Sequence, residues 1–209
     1  MSKMMDKAKN KKKSNKNLTE IVMILDRSGS MARLEEETIG GYNSFIEEQK
    51  KEDSEANLTT ILFDNEYEVL HDRVNLKDVE PLTDRDYYAR GMTALLDAIG
   101  KTIQEISRKI SDSEGKNTPD KVIFVITTDG YENASREFSN KQIKEMVEKK
   151  KNENNWEFLF FGANIDSFGV GHSMGINHTY DYDATSDGIK KRDMVMCERV
   201  SAYRKTDDY

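Results

Sequence analysis

Leu18-Thr19-Glu20-Ile21-Val22-Met23-Ile24-Leu25 is almost continuously apolar and then breaks into Asp26-Arg27-Ser28-Gly29-Ser30-Met31. An apolar run of this length, rich in Ile and Val and closed by small polar residues, predicts a strand covered on both faces, as in the middle of a parallel sheet. A second such run, Lys121 to Thr127, ends in Thr128-Asp129-Gly130. Both strands should be central, and both should release an aspartate at their carboxyl ends.

The remaining segments fit around these two. Leu58 to Phe63 and Tyr67 to Val74 flank Asp64-Asn65-Glu66, a hairpin signal that makes the second of them an antiparallel edge strand. Trp156 to Phe161 predicts another buried strand, and His178 to Tyr182 a short one. Leu96, Ile99, Ile103, Ile106 and Ile110 recur at three and four residues, the stripe of a helix starting near Thr93. Arg33 to Lys51 carries a looser stripe weakened by Gly40-Gly41; Ser139 with Gln142 forms a capping-box pattern; a last helix is expected over about Asp187 to Tyr203. The order β-α-β-β-α-β-α-β-α-β-α specifies an α/β fold: a doubly wound, mostly parallel open sheet with one antiparallel edge strand and helices on both faces.

In such a sheet, sites form beyond the carboxyl ends of the strands, where neighbouring connections leave for opposite faces. If the strands ending at Asp26 and Asp129 are adjacent, their carboxylates approach each other and repel unless a cation lies between them. Ser28 and Ser30, two apart in the turn after Asp26, can aim hydroxyls into the same space, and Thr93 in Gly91-Met92-Thr93-Ala94-Leu95-Leu96 can close the ring. All five are hard oxygen donors, two charged and three neutral, a set suited to Mg²⁺, with Mn²⁺ or Ca²⁺ as alternatives. Taken singly, either serine or Thr93 could cap a helix, and Asp129-Gly130 could be only a turn. Their joint occurrence, each at the correct end of the correct element, favours a metal site.

Asp26-x-Ser28-x-Ser30 after an apolar strand, a later threonine opening a helix and an aspartate-glycine after another apolar strand resemble the metal-ion-dependent adhesion site (MIDAS) of von Willebrand factor A (VWA) domains. The resemblance runs from Leu18 onward and implies a Rossmann-like VWA domain over residues 18–209. It implies that Ser28, Ser30 and Thr93 contact the metal or its waters, that Asp26 and Asp129 act directly or through water, and that a partner protein supplies an Asp or Glu to the open position. The expected function is therefore metal-dependent protein binding without turnover. Tyr87, Tyr88 and Tyr131 would be contacts at the rim of that site, with ordinary partial burial as the alternative.

Composition narrows the other possibilities. The chain has 209 residues with 36% apolar content, enough for one good core, and its longest apolar runs are far too short to span a bilayer. A single cysteine, Cys197, excludes an internal disulfide and a cysteine-based zinc site. A cytoplasmic location without membrane attachment is the expectation. Residues 1–17 hold seven lysines and one aspartate, so of the net −7 this segment carries +6 and the remainder −13. The acidic body argues against a nucleic-acid-binding face, and the basic segment is expected to be a disordered tail. Gly169-x-Gly171-x-x-x-Gly175 departs from dinucleotide-loop spacing and reads as loop flexibility; the histidines 71, 172 and 178 form no metal motif. The enzymatic rival is a Mg²⁺-dependent phosphotransferase or phosphatase with Asp26 as nucleophile, opposed by Ser28 standing where such phosphatases usually carry a second aspartate. Neither the identity of the partner nor an oligomeric state follows from the sequence.

Overall fold

The structure, a computed structural model, describes residues 18–113 and 117–206. The basic segment 1–17, expected to be a disordered tail, lies outside the described residues. Strand β1 (Thr19–Asp26) leads through a 3₁₀ turn (Gly29–Leu34) into α1 (Glu35–Lys50), then β2 (Ala56–Phe63), β3 (Tyr67–Asn75) and α2 (Leu95–Asp112). Strand β4 (Lys121–Thr128), α3 (Asn140–Asn154), β5 (Glu157–Ala163), α4 (Ser167–Ser173), β6 (His178–Tyr182) and α5 (Ser186–Lys205) complete the order.

The six strands pair in the order β3-β2-β1-β4-β5-β6, with β3 antiparallel to β2 and every other pairing parallel. The two long apolar runs, β1 and β4, are neighbours at the centre, and all eight residues of each are buried. Alternation divides them between two cores. Ile21, Met23, Leu25, Ile123 and Val125 join Tyr42, Phe45 and Ile46 of α1 and Met196 and Val200 of α5 on one face. Val22, Ile24, Phe124 and Ile126 join Ile99 and Ile103 of α2, Ile143 and Val147 of α3 and Met174 after α4 on the other. Each fully buried large apolar side chain contributes roughly 1.5–3 kcal/mol, so both faces are needed to hold the sheet. Among the described residues, no helix is long and apolar enough to cross a membrane.

The helices follow their sequence signals with three local differences. The capping box forms as read, with Ser139 N donating to Gln142 Oε1 at 2.9 Å and Gln142 N to Ser139 Oγ at 3.4 Å. The segment expected as helix from Arg33 instead completes a 3₁₀ turn before α1 starts at Glu35. Helix α2 begins at Leu95, not at Thr93, for a reason that belongs to the site below. The glycine-spaced stretch read as a flexible loop is in part a short helix, because Asp166 Oδ1 accepts the Gly169 N–H at 2.9 Å and starts a turn. At its far end α5 is tied to the sheet: Lys121 Nζ donates to the carbonyls of Tyr203, Arg204 and Thr206, and Arg204 Nη1 donates to Gln49 O of α1 at 2.7 Å.

Helices α1 and α5 cross closely at Gly41. A methyl group there would meet Asp193 Oδ2 at 2.2 Å and Arg192 Nη2 at 3.0 Å, whereas one at Gly40 would meet open space. Adjacent glycines in one helix should therefore answer oppositely in thermal unfolding. Gly40→Ala is expected to stabilise by about 0.5–1 kcal/mol, and Gly41→Leu to destabilise by about 1–3 kcal/mol through overpacking. Equal responses would contradict the crossing.

Candidate metal centre

The β1–β4 pairing brings the carboxyl ends of the two central strands side by side, Leu25 opposite Thr127. Their connections diverge, through α1 on one face and α3 on the other, so the crevice between them is the switch point of the sheet. Asp26 and Asp129 lie at its mouth.

Asp26 is 1% exposed, and both its oxygens are engaged: Oδ1 accepts the Ser28 N–H at 2.7 Å and Oδ2 accepts the Thr128 hydroxyl at 2.5 Å. The first bond folds the chain after β1 back on itself, so Ser28 and Ser30 face the same space with their Oγ atoms 3.1 Å apart. Ser30 Oγ then donates to Asp129 Oδ1 at 2.5 Å. Thr93 is held by the β4–α3 loop: Asn133 Oδ1 accepts its N–H at 2.9 Å, and its carbonyl accepts from the N–H groups of Asn133 and Ala134 at 3.0 and 3.2 Å. These bonds keep Thr93 out of the helix and correct the expectation that it opens α2. Its hydroxyl still reaches the ring, since a methyl group at Gly130 would stand 3.2 Å from Thr93 Oγ1 and 3.6 Å from Ser30 Oγ. Only a residue without a side chain leaves that space clear.

All five expected residues thus converge, from three loops, on one small space. Two carboxylates and three hydroxyls around a cradle that a Cβ would fill form a donor set fitted to a small hard cation. Asp26, Ser28 and Thr93 are buried while Ser30 is exposed and Asp129 half-buried, so the cradle is closed from below and open towards solvent. Among the described residues no three His, Cys, Asp or Glu side chains are placed together so as to hold a metal ion.

Tyr87 is corrected. Instead of lying on the rim it is wholly buried, its hydroxyl donating to the Asp26 carbonyl at 2.6 Å, while Tyr88 and Tyr131 are exposed beside the site. Several residues that position the centre were not foreseen. Thr128 carries the hydroxyl on Asp26; Asn133 grips Thr93; Glu132 accepts from the N–H groups of Leu96, Ala134 and Ser135; and Asp97 accepts from those of Arg136, Glu137 and Phe138. The last two carboxylates brace the start of α2 against the β4–α3 loop, fixing Thr93 relative to Asp129. Arg27, buried between Asp26 and Ser28 in sequence, donates to Asp64 Oδ2 at 3.2 Å and Glu68 Oε2 at 2.7 Å, and Arg90 reaches the same Asp64 oxygen at 2.7 Å.

Burial raises the Asp26 carboxyl from 3.8 to about 6 against the pull of its Thr128 and Ser28 hydrogen bonds, and the nearby Asp129 charge adds to the rise. Asp129 is likewise raised, chiefly by burial. A carboxyl that is harder to ionise folded than unfolded contributes stability that is complete below its unfolded pKa and is lost as pH rises through the folded one, here between about 4 and about 6. In chelator, the uncharged and nearly isosteric Asp26→Asn is therefore expected to exceed the wild type in stability by roughly 1–3 kcal/mol near pH 8, with the difference gone below about pH 4. Denaturant titrations across that range check it, and an Asn variant weaker than the wild type near pH 8 would contradict it.

No family model matches the chain, and no curated protein does. Solved structures do. Proximal thread matrix protein 1 from mussel byssus superposes with a TM-score of 0.61 at 12% identity, over 88% of this chain and 46% of that one. The ArnB paralogue VWA2 of Sulfolobus acidocaldarius gives 0.57 at 17% identity, over 88% of this chain and 45% of that one. BatB of Bacteroides thetaiotaomicron gives 0.55 at 14% identity, over 90% of this chain and 100% of that one. The chain spans about half the length of the first two. A further structure of the mussel protein has a zinc-occupied MIDAS motif, at a TM-score of 0.60 and 14% identity over 88% of this chain and 48% of that one. Strand order, helix placement and these superpositions agree: the chain has the fold of von Willebrand factor A domains.

Proposed function

We propose that this chain is a metal-dependent protein-interaction module: Asp26, Ser28, Ser30, Thr93 and Asp129 hold one divalent cation, Mg²⁺ foremost, and an Asp or Glu of a partner protein completes its coordination. The observation that carries the reading is the meeting of five hard oxygen donors at the switch point around the space kept open by Gly130. Mg²⁺ binds through few carboxylates and favours six oxygen ligands, retaining water where the protein supplies none. Three neutral hydroxyls leave the cation strongly electrophilic, and the cradle opens outward at Ser30, where an incoming carboxylate can displace water. The mussel protein with zinc at a MIDAS motif on the same fold lends support to a divalent metal here. We place the module in the cytoplasm, in keeping with its lone, half-buried cysteine.

The phosphotransferase alternative finds little in this geometry. A nucleophile must reach phosphorus in line, yet Asp26 is 1% exposed with both oxygens occupied. Ser28, buried beside it, offers no titrating group for proton transfer.

Calorimetric titration with Mg²⁺ and Mn²⁺ tests the proposal. One saturable site is expected in the wild type and none in the Asp26→Asn, Asp129→Asn double variant, with Thr93→Ala weakened about tenfold or more. Native-state stability should rise by about 2.7 kcal/mol at a hundredfold metal excess over Kd. Identical metal responses of wild type and double variant would refute the centre.

A further inference from the structure

Among the described residues six large apolar side chains are exposed, and four of them stand around this centre: Tyr88 at 44% exposure, Met92 at 52% and Tyr131 at 58% on loops, and Phe168 at 67% in the first turn of α4; Val69 and Met194 lie elsewhere. They fall on two sides of it. Met92 adjoins Thr93; Gly91 before it accepts the Gly29 N–H at 3.2 Å, and the Met92 N–H donates to Asn65 Oδ1 of the β2–β3 turn at 3.2 Å, which puts Met92 on the hairpin side of the centre. The Tyr88 ring lies beyond, 5.9 and 5.5 Å from the guanidinium carbons of Arg27 and Arg90. On the β5 side, Tyr131 follows Asp129 by two residues and its hydroxyl accepts the Asp166 N–H at 3.4 Å, bringing Phe168 to the same flank. Solvated aromatic and methionine side chains concentrated at one edge are costly unless something covers them, and these are the residue types enriched at the centres of protein interfaces.

Charge describes what would cover them. The segments at this edge, residues 26–37, 64–66, 83–93, 129–138, 164–168 and 181–187, hold fifteen acidic side chains against five basic ones. Asp64 and Glu66 are paired with Arg27 and Arg90, and Glu137 with Lys101 of α2, leaving Arg33, Arg85 and Arg136 against twelve acids, and one dication offsets only two of those charges. A generally acidic partner would be repelled even while the metal attracts one carboxylate.

We propose that the occupant is a basic protein segment carrying a single Asp or Glu, with a large apolar side chain within about three positions of that acid and Lys or Arg elsewhere. The spacing follows from the sheet: Phe168 lies in the first turn of α4 after β5, the strand beside the one that ends before Asp129, adjacent strands lie about 4.8 Å apart, and an extended segment advances about 3.3 Å per residue. The carboxylate sits on the metal, the apolar group on Tyr131 and Phe168, and the basic residues over the acidic surround. The inference rests on the metal-centre reading and adds its specificity.

The test is a selection of phage-displayed short peptides with one fixed central acid, on the immobilised full chain in Mg²⁺, alongside metal calorimetry. Expected are peptides enriched in Phe, Tyr, Trp, Leu or Met close to the acid and in Lys or Arg outside it. Chelator should release them, and rising salt should weaken them. Tyr131→Ser combined with Phe168→Ser should weaken a selected peptide about tenfold or more and abolish the apolar preference while leaving the metal Kd unchanged. Selected peptides with no apolar bias, with acidic flanks, or indifferent to the double variant would overturn the proposal. So would Mg²⁺-dependent self-association without peptide enrichment, which would give the surface to a second copy, or metal binding with no enrichment of any kind. Calorimetry showing no metal would instead remove the centre itself.

Discussion

The parallel pairing of β1 with β4 is the constraint on which the rest depends. It puts two chain segments that both finish in acid at adjacent positions on one edge, and burial there works against their charge. Neither carboxylate is left bare: Thr128 and the Ser28 amide engage Asp26, and Ser30 engages Asp129. Hydrogen bonds of this kind offset part of the desolvation cost, yet both groups stay harder to ionise than in water. A pocket that gathers negative charge in this way, with hydroxyls turned inward, is complementary to a cation in the same sense that an oxyanion hole is complementary to an anion.

Placing the third loop requires more than the sheet. Thr93 lies between β3 and α2, and nothing in strand register fixes it. The structure solves this by cross-bracing: Asn133 holds the Thr93 backbone, Glu132 and Asp97 exchange hydrogen bonds between the start of α2 and the β4–α3 loop, and Tyr87 passes under the site to the Asp26 carbonyl. Such outer residues set ligand orientation, and losing one typically weakens a metal site by about 10–100-fold. The Arg27–Asp64–Arg90 cluster performs a similar task for the β2–β3 hairpin, pinning its turn to the residue after Asp26.

Most of the architecture was legible because it depends on local apolar patterning. The uninterrupted runs of β1 and β4 announced central strands, the three-four spacing from Leu96 to Ile110 announced α2, and Asp64-Asn65-Glu66 announced the hairpin. Asp26, Ser28, Ser30 and Asp129 could be read as neighbours because they lie at or just past the ends of β1 and β4, which the topology sets side by side, whereas Thr93 owes its place to the β4–α3 loop. What escaped was decided by contacts distant in sequence. Tyr87 looks like a loop aromatic until β1 supplies a carbonyl for its hydroxyl; the start of α2 shifts because Asn133, forty residues away, claims the Thr93 backbone. Glu20 sits within an apolar strand and is buried, tolerated because Arg73 of the edge strand donates to it at 3.0 Å and Thr59 at 2.9 Å. No periodicity carries that information.

The central claim, that one divalent cation lies among the three loops, is met most directly by diffraction from crystals grown in Mn²⁺, using the anomalous signal of the ion. The account predicts a single peak within about 2.0–2.6 Å of oxygens from the five-residue set, with an exposed coordination position on the Ser30 side. An anomalous map with Mn²⁺ held elsewhere on the chain, and none between Asp26 and Asp129 at saturating metal, would contradict it.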